Sequence, residues 1–156
     1  NTKSKPVYTH LDNDRLSEGL HEALGRYHAS GSVCEEDRRL AGEVLRGYAS
    51  LRAETDVMRC KLCALLLPTY KLSGDEEAFV RLHDTMRGLL PVVKAPQSRA
   101  LLVTLYGCTD NALYRRMAHE LVDPWQVDPS PKKSKLSLIH RLGDYDRWLG
   151  HESVDS

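Results

Sequence analysis

The chain has 156 residues, enough for one domain with a real hydrophobic core. Its 22 basic and 22 acidic residues cancel, so no global charge steers it toward a polyanion. Aromatic residues make up only 6%, a composition that suits helices packed by leucine and alanine better than a β-sandwich.

Residues 1–10 carry two lysines and a proline without helical period, and read as an extended arm. Asp12, Asn13 and Asp14 then stand where a helix N-terminus wants a cap and acids. Leu16, Leu20, Leu24 and Tyr27 follow at helical spacing, and Gly31 suits a left-handed cap. Ser32 and Glu35 fit a capping box that opens a second helix with Leu40, Val44, Tyr48 and Leu51 on one face.

The stretch Val57–Leu67 is interrupted only by Arg59 and Lys61. A helix with so little polar face must be surrounded by other elements, and this one is too short to span a membrane. It is expected to be the central core helix, stopped at Pro68. Two readings stand for Val33–Leu67: one continuous helix, or a fresh start capped by Thr55 and Asp56.

Ser73 and Glu76 form a second capping-box pattern before Phe79, Leu82, Met86 and Leu89/Leu90. Residues 91–97 read as a proline-bounded connector. Ser98 opens another apolar segment, Ala100–Tyr106, which Gly107 and Asp110 are expected to break. Asp110 is then placed to cap a helix carrying Leu113, Met117 and Leu121, closed by Pro124. Residues 124–135 hold three prolines and three lysines and read as a linker. A short last helix near 137–149 is expected to be interrupted at Gly143, and the tail to fray.

No strand is written after residue 10. The pattern predicts an all-α, compact bundle of five to seven helices: an arm over 1–10, a bundle domain over 11–123, a basic linker over 124–135 and a short C-terminal helix with its tail over 136–156. The chain begins at Asn1 and not at Met, which reads as a fragment.

Candidate chemistry is thin. Cys60 and Cys63 form a C-x-x-C, but zinc needs four convergent ligands, and a redox pair belongs at a helix N-terminus. Two buried thiols of an intracellular protein are the expectation. His119–Glu120 starts an H-E-x-x pattern with Asp123 where a second histidine would bind zinc, so an ordinary charged helix surface is expected. His21 and His28, with Glu18 and Glu22, share a face expected to be solvated. The glycine loops of nucleotide sites and the nucleophile elbow of hydrolases are missing from the chain. The expectation is therefore no catalytic residue, no metal and no cofactor.

The favoured function is a non-enzymatic helical interaction module: a scaffold, adaptor or regulatory domain that binds a protein or its own copy, away from any membrane. Trp125, Leu138, Ile139, Leu142 and Trp148 are the candidate partner-binding residues, on the reading that the last helix docks on a partner. For Trp125 the competing expectation is that it anchors the linker onto the bundle. The alternative function is RNA or DNA binding through Lys132, Lys133 and Lys135, joined by Arg115 and Arg116, with Lys71, Lys94 and Arg141 as possible neighbours. K-K-S-K also fits a nuclear import signal, so nucleus or cytoplasm is the expected location.

Overall fold

A computed structural model describes residues 10–91 and 95–151. Seven α-helices and one 3-10 turn follow one another, and no strand occurs among the described residues. They are α1 (His10–Ser30), α2 (Glu35–Tyr48), α3 (Asp56–Ser73), α4 (Glu76–Leu89), α5 (Ala95–Thr109), α6 (Ala112–Val122), the 3-10 turn Asp123–Val127 and α7 (Lys133–Trp148). The fold is all-α, as the periodicity predicts. The expected arm lies outside the described residues except for His10, which already belongs to α1. Of the tail, only His151 is described.

The helix built on the Val57–Leu67 run sits in the middle. α3 packs against α1, α2, α4 and α5. Leu62, Leu65, Leu66, Leu67 and Leu72 all point into the core, each burial stabilising by about 2 kcal/mol. α5 is the second axis, against α3, α6 and α7, and contributes Leu101, Leu102, Val103, Leu105 and Tyr106.

Several boundaries differ from the sequence reading, each for a local reason. Pro68 does not stop α3 but lies buried inside it. A proline withholds the N–H that the carbonyl four residues back would accept, at a cost of about 3 kcal/mol. The buried leucines on either side of it offset that cost. Val33–Leu67 is two helices: Thr55 caps α3, its side chain accepting the Met58 N–H at 3.1 Å. The Ser32–Glu35 box does not form, because Cys34 holds the cap position without a side-chain bond. Glu35, Glu36 and Asp37 complement the dipole there instead, and Arg26 grips the buried Asp37 with two bonds of 2.9 and 2.8 Å. Nor does Ser73 open α4. It ends α3, and Asp75, a stronger acceptor, caps α4 through the Ala78 N–H.

α5 begins at Ala95, ahead of the expected Ser98, and runs through Gly107 without a break. Asp110 takes a left-handed φ of 56°, and its neighbour Asn111 caps α6 through the N–H groups of Leu113 and Tyr114. α6 turns one position from the expected face: Tyr114, Ala118 and Val122 are buried, while Leu113 is half exposed. The expected linker is largely structured, since the 3-10 turn covers 123–127 and α7 begins at Lys133. α7 packs on α1, α5 and α6.

Gly143 lies within α7, exposed, with nothing near a Cβ built there. It does not interrupt the helix, because one glycine costs only about 1 kcal/mol relative to alanine. Gly143→Ala is therefore expected to stabilise the protein by up to about 1 kcal/mol in a thermal melt. A lower melting temperature would show that the position is not open.

Candidate functional site

The strongest polar cluster is built on Asp146 of α7. Arg115, His119 and Asp123 follow at intervals of four, which places them on one face of α6 and its extension. Asp146 is 8% exposed and receives three donors. Tyr106 Oη reaches Oδ1 at 2.6 Å, Arg115 Nε reaches the same oxygen at 2.8 Å, and His119 Nε2 reaches Oδ2 at 2.7 Å. The other His119 nitrogen donates to Asp123 at 2.9 Å. Arg115 also donates to the His151 carbonyl at 2.9 Å, and the His151 ring pairs with Asp110 at 2.7 Å. Asp110, Arg115, His119, Asp123 and His151 of this network line an open cleft of about 630 Å³ beside α6, with Asp146 and Tyr106 behind its wall.

Burial alone would raise the Asp146 carboxyl, but the hydrogen bonds from His119, Arg115 and Tyr106 outweigh it and hold it well below the usual range. His119 moves up, driven first by its bond to Asp146 against a smaller burial cost. With a carboxylate at each nitrogen the ring is held toward its protonated form, bridging two helices, which is not the ordinary surface charge expected from its sequence context. Both nitrogens are committed as donors, so the ring has no lone pair with which to take a proton. The cleft lining also offers no serine, threonine, cysteine or lysine as a nucleophile. The arrangement clamps α5, α6 and α7 together.

This gives a pH prediction. A raised histidine adds stability that is complete below its unfolded value near 6.5 and is lost as pH rises through the higher folded value. His21, His28 and His83 are all lowered by burial, so their contribution runs the other way and is lost as pH falls below 6.5. The contribution of His119 is thus visible only as a difference. His119→Gln is expected to cost about 2 kcal/mol near pH 6, and the gap to wild type should narrow as pH rises past 7. Parallel melts across pH 5.5–9 check it, and a constant gap would mean that His119 is not charged.

His21 and His28 are not on a solvated face. His21 is 6% exposed, donates from Nε2 to Asp144 at 2.9 Å and accepts the Tyr145 O–H at Nδ1, 3.3 Å away. Burial lowers its pKa more than Asp144 raises it, which favours the neutral ring with this donor and acceptor pattern. His28 donates to the Gly107 carbonyl at 3.3 Å. Both rings lie near Trp148, with centroids 4.8 and 6.3 Å away, so this face is the α1–α7 interface. Cys60 and Cys63 are free and buried, and burial pushes the Cys63 thiol up to about 11. Among the described residues no three His, Cys, Asp or Glu side chains gather as metal ligands would.

The candidate partner-binding residues lie on or under α7. Leu142 is buried, and Leu138, Ile139 and Trp148 pack against the core of their own chain. Trp125 is 8% exposed, with the Arg99 guanidinium 4.7 Å and the Lys135 ammonium 5.4 Å from its ring centroid. The candidate basic residues do not form one patch. Arg115 and Arg116 line the cleft, whereas Lys132, Lys133 and Lys135 stand at the other end of α7, roughly 16–21 Å from Asp146 along the axis. Arg141 faces Glu18 at 3.4 Å and Lys71 lies over Phe79, while Lys94 is outside the described residues. Asp144, Asp146 and Arg99 escaped the sequence reading. The one local hint was the 115–119–123 spacing.

The described residues thus form a seven-helix bundle with an ionic clamp at one end of α7 and a cationic corner at the other. A solved structure with the same fold is that of UpxZ, a transcription anti-terminator antagonist from Bacteroides uniformis. It is similar at a TM-score of 0.59 and 19% identity, over 91% of this chain and 97% of that one. No protein-family model matches the chain, and no curated protein matches it. Among the described residues, no helix is long and apolar enough to cross a membrane.

Proposed function

We propose that this chain is a regulatory protein that acts by binding another protein, an antagonist without a catalytic step of its own. The observation that supports this reading is the near full-length likeness in fold to a protein named as a transcription anti-terminator antagonist. The cleft agrees with it, since His119 is locked between two carboxylates and the lining offers no serine, threonine, cysteine or lysine nucleophile. In its finer form, the partner is a transcription factor and the setting is the bacterial cytoplasm.

The nuclear reading loses its support. An import signal is read as an extended basic strand, whereas Lys133 and Lys135 are in a helix and Lys135 rests on Trp125. Nucleic-acid binding draws no specific support either, because Arg115 is committed to Asp146 and the lysines lie far from it.

A reporter tests the finer reading. In a bacterial host where an anti-terminator carries polymerase through a terminator ahead of the reporter, the chain is expected to lower read-through and leave a terminator-free control unchanged. Unchanged read-through would overturn it. The broader reading predicts a stoichiometric protein partner in native mass spectrometry of the chain purified from its own cells, and a chain that carries none would overturn that.

A further inference from the structure

We propose that the corner formed by the 3-10 turn, the first turn of α7 and Arg99 of α5 is the docking surface for an acidic, amphipathic peptide segment of the protein partner. The inference rests on the protein-binding reading above and names the chemistry of what is bound.

Arg99 and Lys135 both lie on the ring of Trp125, at 4.7 and 5.4 Å, which keeps the two charges within about 10 Å of each other. Among the described residues neither makes an ion pair, and the Arg99 Nε is buried without a hydrogen-bond partner. Among the described residues no carboxylate meets their charge. Lys132 and Lys133 stand exposed one turn away, at a helix start with no acidic residue in its first turn and no side-chain cap. Lysines there face the positive end of the helix dipole, so an anion is what the arrangement lacks. The nearest acids in sequence are occupied: Asp128 accepts the Ser130 N–H and Asp123 accepts from His119.

Two features select an acidic peptide over nucleic acid. Trp125 is 8% exposed and covered by the two cations, so its ring cannot serve as a stacking platform for a base. Two apolar side chains are exposed on the elements that form this corner, Val127 at 86% on the 3-10 turn and Leu136 at 40% on α7. Cations beside exposed apolar groups match carboxylates interleaved with leucine-like residues. Trp125 holds the two receptor cations in place and takes no direct part.

A labelled peptide of repeating Glu-Glu-Leu-Leu is the probe, beside its Gln-Gln-Leu-Leu counterpart and a short single-stranded RNA. The wild type should bind the acidic peptide at least about tenfold more tightly than either, and binding should shift the Trp125 indole signal in NMR but not that of Trp148. Lys132→Glu, Lys133→Glu and Lys135→Glu together should reduce that affinity about tenfold or more. Lys135 covers Trp125, so Lys132→Glu with Lys133→Glu, both exposed positions, serves as a second variant expected to melt like wild type and still bind more weakly. Equal binding of the neutral peptide, preference for RNA, or variants that bind like wild type would overturn the docking surface. In the terminator reporter the triple variant should lose antagonism. If it retains activity equal to wild type, the docking surface fails and the antagonist reading stands. If the wild type itself is inactive there, it is the antagonist reading that fails.

Discussion

Asp146→Ala is expected to destabilise the protein by about 3 kcal/mol, which lowers the melting temperature by roughly 6–12 °C for a chain of this size. The carboxylate is the shared acceptor of three donors from two helices, so its removal leaves each of them without its partner. The Tyr106 hydroxyl suffers most, because the residue is wholly buried and water cannot replace the lost acceptor. Arg115 and His119 are partly exposed, at 33% and 26%, and recover some hydration, which keeps the loss at the low end for a broken buried pair. A second readout separates the electrostatic account from simple loss of packing. With one of its two carboxylates gone, His119 should titrate at lower pH than in wild type, as followed by its ring proton signals. A variant that melts like wild type would show that Asp146 does not hold α6 to α7.

The fold was more legible than this cluster, and the reason is range. Helix faces repeat over a few residues, so Leu16–Leu20–Leu24 and the apolar run at Val57–Leu67 declare themselves locally. The choice of α3 as the core helix needed no knowledge of its neighbours. Boundaries were harder because adjacent residues compete for one role: Asp75 displaces Ser73 as cap, Asn111 displaces Asp110, and the buried neighbours of Pro68 carry the helix past it. The Asp146 cluster joins residues 27, 31 and 40 positions apart, and no short-range pattern links them. His21 was misread for the same reason, since its partners Asp144 and Tyr145 lie more than 120 residues away. The pairing of Arg99 and Lys135 over Trp125 brings together three elements and was equally hidden.

Gly107→Ala should be the more damaging of the two substitutions, although alanine is the better helix former by about 1 kcal/mol. A Cβ at position 107 would lie 2.3 Å from two atoms of the Tyr145 ring and 2.5 Å from a third. That ring is 2% exposed and cannot swing aside, with the rings of His21, Trp148 and Tyr106 at centroid distances of 5.1, 5.7 and 6.3 Å. Glycine is therefore not a helix breaker here but the seat that lets α7 approach α5, just as Gly25 seats Trp148 against α1. Relief requires α7 to lift, and lifting also strains Tyr106–Asp146 and His21–Asp144, which hang on the same turn. The net loss is expected to reach at least about 3 kcal/mol, the upper end for overpacking a core. Gly143→Ala on the open side of α7 is the matched control and should change stability in the opposite direction. The decisive step is a double-mutant cycle: Tyr145→Leu removes the ring that the new methyl meets, so alanine at 107 should cost far less in that background. If Gly107→Ala costs as much in the Tyr145→Leu background as in the wild type, the close approach of α7 to α5 is not what glycine provides.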